Sequence, residues 1–256
     1  MLAVPLVVGA VHAGASWWHL LLAVTWVVGY LAFHAAGVLL KARGRPRHRP
    51  PVLWYGGATV VLGATLLLVR PSLLWWAPVY AVLLTVSLVT SWRRTDRSLL
   101  NDGVTIAAAC LLAAVAHTPA AVAGAARAAG SGPTALTLGL TGGSIAAWQL
   151  VALLGLYFFG TALYVKTMIR ERGNPTMLAA SMTWHVLAVA GVALVLAADG
   201  TERLSTLAAA PLGLFFALLT VRAGLVPRRW PAATPRTIGL GEVAASVALT
   251  VLLLAA

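Results

Sequence analysis

Long apolar runs separated by short arginine-bearing breaks repeat along almost the whole chain, and this pattern restricts the fold more than any other feature. A helix needs roughly 18–20 apolar residues to cross the hydrocarbon core, and it must bond all of its backbone groups internally. Runs that meet or approach that length occupy 17–40, 52–69, 73–92, 104–117, 146–165, 177–198, 204–221 and 238–256, with a shorter one at 2–13. The residues are 61% hydrophobic and 9% charged, whereas a soluble domain has about 25% charged residues. The expected fold is all-α: a polytopic transmembrane bundle of about nine helices, forming one domain over 1–256. The run at 2–13 reaches only about 18 Å as a helix. It lacks the basic leader and cleavage site of a signal peptide, so we expect the cytoplasmic half of a first helix to lie upstream of Met1.

The formal charge of +12 would suggest nucleic acid in a soluble protein, but these charges alternate between the two ends of the runs. Lys41, Arg43, Arg45, Arg47, Arg49, Arg93, Arg94, Arg97, Lys166, Arg170, Arg172, Arg222, Arg228, Arg229 and Arg236 fall on one side, fifteen in all, against Arg70, Arg127 and Arg203 on the other. The positive-inside rule then puts the N-terminus in the cytoplasm and the C-terminus outside, with the bilayer rather than nucleic acid as the partner. The arginines of 43–49 and 222–236 need only this explanation. Residues 118–144 form one long external loop rich in Gly, Ala, Pro and Thr. Trp17, Trp18, Trp54, Tyr55, Trp75, Trp76, Trp92 and Trp148 fall near run ends, where aromatic belts form. Cys110 is the sole cysteine, which excludes an intramolecular disulfide.

Polar side chains inside a span are costly, so each one is a candidate for function. His34 and Lys41 are seven residues apart and share a helix face. Asn101 and Asp102 open the fifth run, where either also suits a helix cap. Tyr157, Thr161, Tyr164, Met168 and Glu171 make one stripe on the sixth, with Lys166 and Arg170 on the neighbouring face. Snorkelling to headgroups explains Arg170 better than Lys166. His185 has Ser181 on its face in the seventh run, and Glu242 is followed by Ser246 in the ninth. We expect His34, Asp102, Lys166, Glu171, His185 and Glu242 to line one cytoplasm-facing basic cavity. His34 and His185 are also the pair available as axial haem ligands. No nucleotide loop, nucleophile elbow or zinc-protease helix occurs, and no metal set is expected.

The segments LAFHAAGVLLKAR (31–43), RSLLND (97–102) and YVKTMIRERG (164–173), in this order, resemble the YwiC-like family of bacterial membrane proteins. That resemblance implies a membrane fold in a bacterial plasma (inner) membrane but no reaction. The helix count and loop placement are more distantly similar to the UbiA-type intramembrane prenyltransferases, which hold Mg²⁺ and a prenyl diphosphate on aspartate-rich motifs after their second and sixth helices. The matching places here carry no aspartate, and Glu171 alone stands near the second, too few carboxylates for two divalent ions. The expectation is an isoprenoid, quinone or other anionic lipid held by Lys and Arg, with catalysis and any cofactor left open. A small proton-coupled transporter and a non-catalytic subunit of a membrane complex are the alternatives.

Overall fold

In the computed structural model, residues 2–118, 145–197 and 209–256 are described. The external loop expected over 118–144 lies almost wholly outside them, as do Arg127 and Arg203. Among these residues nine α-helices follow one another: α1 Val4–His12, α2 Trp17–Lys41, α3 Arg49–Val69, α4 Ala77–Trp92, α5 Leu99–Ala116, α6 Ile145–Ile169, α7 Pro175–Ala197, α8 Ala209–Arg229 and α9 Pro235–Leu254. Short 3-10 turns at Pro46–His48 and Pro71–Trp76 lead into α3 and α4. Eight of the segments are long and apolar enough to cross a membrane; α1 is not.

The helix starts follow from local chemistry. Proline stands in the first turn of α1, α3, α4 and α9, where its missing N–H costs nothing. Ser98 accepts from the Asn101 amide and Thr234 from the Thr237 amide, capping α5 and α9. The Ser98 cap explains why α5 begins at Leu99 rather than at the first strongly apolar position, Val104. A larger departure concerns α8, which runs on through Arg222 to Arg229 with Pro227 inside it. Arg222 is therefore a helical residue seven positions from the helix end, about 10 Å deep at 1.5 Å per residue, and not a loop charge.

Polar contacts link the helix ends into two opposite sets. At one end Lys41 pairs with Asp96, Lys166 Nζ donates to the Arg97 carbonyl, and Arg172 donates to the Ala233 carbonyl. These ties join the α2–α3, α4–α5, α6–α7 and α8–α9 connections, the four that carry the arginine clusters. We call this the basic end. At the other end His12 bonds the Leu253 carbonyl, His19 the Ala116 carbonyl, and Trp76 donates to Thr118. The alternation inferred from charge thus corresponds to two physical ends.

Apolar packing centres on α6, whose Leu150, Leu153, Leu154, Tyr157 and Phe158 are buried together with residues of α1, α5, α7, α8 and α9. The short α1 lies deep in this core with Val8 fully covered. A Cβ on Gly9 would stand 2.6 Å from the Ala113 Cα, so α1 crosses α5 with backbone almost on backbone. By contrast α3 buries only Leu66 and turns Leu53, Trp54, Val60 and Leu68 outward. An apolar exterior of this extent fits lipid as solvent. The aromatic belt is only partly external: Trp17, Trp54 and Trp92 are exposed, but Trp18 and Trp76 are buried in the core. Trp18 stacks on His19 and lies under the Arg70 guanidinium, which gives both its faces partners within the protein.

Candidate functional site

The basic end carries a hydrogen-bonded knot where α2, α4 and α5 meet. Asn101 accepts from Ser87 (2.7 Å) and Thr90 (2.8 Å) and donates to the Asp96 carbonyl (2.8 Å). With its side-chain oxygen doubly occupied, Asn101 clamps the α4–α5 turn to α4. Asp96 accepts from Ser91 at 2.7 Å and pairs with Lys41 at 3.1 Å, while Arg94 donates to the Lys41 carbonyl. Burial would push the Asp96 carboxyl upward, but the Ser91 hydroxyl and the Lys41 ammonium outweigh it, and the group titrates below its usual range. Because the folded pKa is the lower one, this contribution is present above the unfolded value of about 3.9 and is lost as pH falls through the folded value. Lys41 is 44% exposed, so the pair is worth about 0.2–1 kcal/mol. Thermal midpoints of wild type and Asp96→Asn should differ at neutral pH and converge on acidification below the folded value; a constant difference would show that the ionised form contributes nothing.

One helix face further round, Lys166 is only 8% exposed. Its ammonium contacts Asp102 at 2.5 Å and donates to the Arg97 carbonyl at 2.7 Å, tying the last turn of α6 to the first turn of α5. The pair adjoins an apolar groove of about 470 Å³ between α5, α6 and α7. Gly103, next to Asp102, lines the groove at the basic end, with Gly155 and Phe159 on α6 and Trp184 and Leu194 on α7. Gly155 and Lys166 are eleven residues apart, which is three turns, so both stand on the α6 face that meets α5 and α7.

The opposite face of α6 holds a second polar group. Tyr164 is two residues from Lys166, a rotation of about 200°, and the stripe of Tyr157, Thr161, Tyr164 and Met168 faces α8 and α9. Thr161 donates to Glu242 Oε2 at 2.9 Å, and Arg222 NH1 stands 2.8 Å from Glu242 Oε1. The Arg222 guanidinium sits over the Tyr164 ring at 4.3 Å, and the Tyr157 hydroxyl meets Ser246 at 3.0 Å. His185 approaches from α7, its Nδ1 on the Ser181 carbonyl at 2.7 Å and its Nε2 against Gly160. Arg222 carries this cluster, and reading its charge as topology alone missed it. The available signal was its isolation, since it sits two turns before Arg228 and Arg229 within LLTVRAGLV, an unbroken apolar context.

The expected single cavity is thus two sites, separated by α6. Asp102 and Lys166 belong to one, with Lys41 and Asn101 in the adjoining knot; Tyr164, His185 and Glu242 belong to the other. Three candidates join neither. His34 is exposed on α2 whereas His185 is buried on α7, so the two stand in different surroundings and not in the one cavity expected of them. Arg170 is exposed beyond the end of α6. Glu171 accepts from Asn174 at 3.0 Å in the α6–α7 turn, whose Asn174 oxygen in turn receives the amides of Thr176 and Met177 at the start of α7.

These features define a polytopic all-α membrane protein with paired charges inside its spans. Over its first part the chain is similar to one family: the family model described as YwiC-like protein matches residues 1–117, which hold the first two motifs. It is 27% identical over 187 residues to the uncharacterized protein YwiC of Bacillus subtilis (strain 168), covering 73% of this chain and 70% of that one. It is also 27% identical over 187 residues to an uncharacterized protein of Haemophilus influenzae (strain ATCC 51907 / DSM 11121 / KW20 / Rd), covering 73% and 71%. No solved structure matches it.

Proposed function

We propose that this protein holds an amphipathic lipid, with the hydrocarbon chain in the groove between α5, α6 and α7 and the polar head at Lys166. The supporting observation is the junction at Gly103. An apolar groove open toward the lipid side meets, at its basic end, a buried lysine whose ammonium is shared between one carboxylate and one carbonyl. The lining is aliphatic and aromatic with few polar atoms, and the volume of about 470 Å³ lies within the range of small-ligand sites. An isoprenoid, a quinone or an anionic acyl lipid has this division into tail and head, and an ammonium attracts the oxygens of any of the three. The basic end faces the cytoplasm by the positive-inside rule, so the head lies at the inner leaflet. Magnesium-dependent prenyl transfer is not part of the proposal, because Glu171 is spent on the α6–α7 turn and no carboxylate replaces the missing aspartates.

Gly155 supplies the test. A Cβ there meets nothing within 4 Å, so Gly155→Leu fills the groove floor without forcing the helices apart. Native mass spectrometry of the purified protein should show a bound lipid whose occupancy falls about ten-fold or more in Gly155→Leu, a loss of about 1.4 kcal/mol or more in binding. Equal retention by this variant, with its thermal midpoint unchanged, would remove the groove from consideration.

A further inference from the structure

Arg222 offers a second binding point, on the far side of α6 from the groove. A guanidinium presents its donors along planar edges, each able to meet two oxygens side by side. Glu242 does not take such an edge from Arg222. One carboxylate oxygen accepts from Thr161 and the other faces only NH1. The Nε and NH2 atoms, which together form one complete edge, are buried and have no hydrogen-bond partner among the described residues. Ser181 Oγ on α7 is likewise buried and unpartnered. Thr220, two residues before Arg222 on α8, donates to the His185 carbonyl at 3.2 Å, and Ser181 lies one turn before His185, so α7 packs against α8 at this depth. Arg222 is also held in place, by Glu242 at one edge and by the Tyr164 ring beneath it at 4.3 Å. A side chain that served packing alone would leave neither the fork nor the hydroxyl without acceptors in a low-dielectric interior.

We infer that the Nε–NH2 edge of Arg222, between α6, α7, α8 and α9, binds a monoanionic oxyanion with two free oxygens, such as a phosphodiester or a carboxylate. Glu242 already balances the guanidinium charge, and the surrounding helices exclude the solvation a dianion would need. Arg228, six residues further along α8 toward the basic end, adds positive charge on that side, which favours the approach of negative charge. The same chemistry belongs to a phospholipid head or to a free carboxylate or phosphate, and the test separates them.

Delipidated protein in neutral detergent is titrated in turn with phosphatidylglycerol, inorganic phosphate and acetate, reading the ¹⁵N–¹H signal of the Arg222 Nε group and the thermal midpoint. Arg222→Lys keeps the ionic contact with Glu242 but removes the planar edge, and Gly155→Leu blocks only the groove. The expected result is a saturable shift of the Nε signal with at least one probe, unchanged in Gly155→Leu, and a rise in midpoint that, with the groove blocked by Gly155→Leu, needs about ten-fold or more probe once Arg222→Lys is added. A response to phosphatidylglycerol alone assigns the source to the bilayer; a response to phosphate or acetate assigns it to solution. Absence of any saturable shift in wild type, an equal affinity with Arg222→Lys in the groove-blocked background, or loss of the Nε shift in Gly155→Leu would each overturn the inference.

Discussion

Glu242→Ala is expected to lower stability by about 3–5 kcal/mol, the cost of leaving a buried charge without its partner. The carboxylate is 12% exposed and the arginine 22%, so water reaches neither side chain well enough to take over the missing contact. Three losses come at once: Arg222 loses its counter-charge, Thr161 its acceptor, and the α6–α9 contact one of its polar ties, with Tyr157 to Ser246 left. The comparison that identifies the cause is the double variant Arg222→Met with Glu242→Leu. Replacing a buried ion pair by apolar side chains of similar size is often close to neutral, whereas removing one member is not. The double variant should therefore be more stable than Glu242→Ala, measured by thermal unfolding in detergent with size-exclusion chromatography as a check on folding. Should Arg222→Met and Glu242→Leu, each made singly, simply add in the double variant, the pair is not energetically coupled, and Arg222 finds its compensation elsewhere.

Arg222 also shows where reading the sequence stopped short. Helix number and the sorting of charge to two ends were legible because both depend on one-dimensional quantities: run length against bilayer thickness, and arginine count per connection. Helix ends were less legible, since hydropathy falls at the first charge while the backbone continues as long as its hydrogen bonds can form. That is why α8 seemed to end at Val221 and its arginine was assigned to a loop. Face sharing along one helix was readable from spacing, and the Tyr157, Thr161, Tyr164 and Met168 stripe does point one way. Which helix meets that stripe is a property of tertiary packing, and no spacing within α6 reveals that Glu242 and Arg222 stand opposite. The same limit explains Lys166. Its retention against an arginine-rich background marked it, but the 200° rotation that separates it from Tyr164 has consequences only once α5 and α9 are known to lie on different sides of α6. His34 shares a face with Lys41, but the face is turned outward at His34, and periodicity alone does not distinguish a lipid-facing stripe from a buried one.

The other large effect is expected at Gly9, where α1 touches α5. A Cβ at this position would lie 2.6 Å from the Ala113 Cα and 2.7 Å from the Ala113 carbonyl oxygen. These are backbone atoms, so no rotamer change on α5 relieves the contact. Gly9→Val must lift or tilt α1, which uncovers Val8 and Leu6 and pulls on the bonds from His12 to the Leu253 carbonyl and from Trp26 to the Leu2 carbonyl. Overpacking of this sort costs about 1–3 kcal/mol, and losing the cover of buried aliphatic side chains costs about 2–5 kcal/mol. Gly63 on α3 is the internal control, because a Cβ there meets nothing within 4 Å. Gly63→Ala removes a helix-weakening glycine in open surroundings and should raise the thermal midpoint slightly, by the equivalent of about 0.5–1 kcal/mol. Opposite signs at two helical glycines would show that α1 is held by close backbone packing and not by helix propensity. A wild-type midpoint for Gly9→Val would mean that α1 does not rest on α5. The ties of α1 to both α9 and α2 would then have to be redrawn, since the crossing at Gly9 and Ala113 sets how closely α1 lies against the bundle.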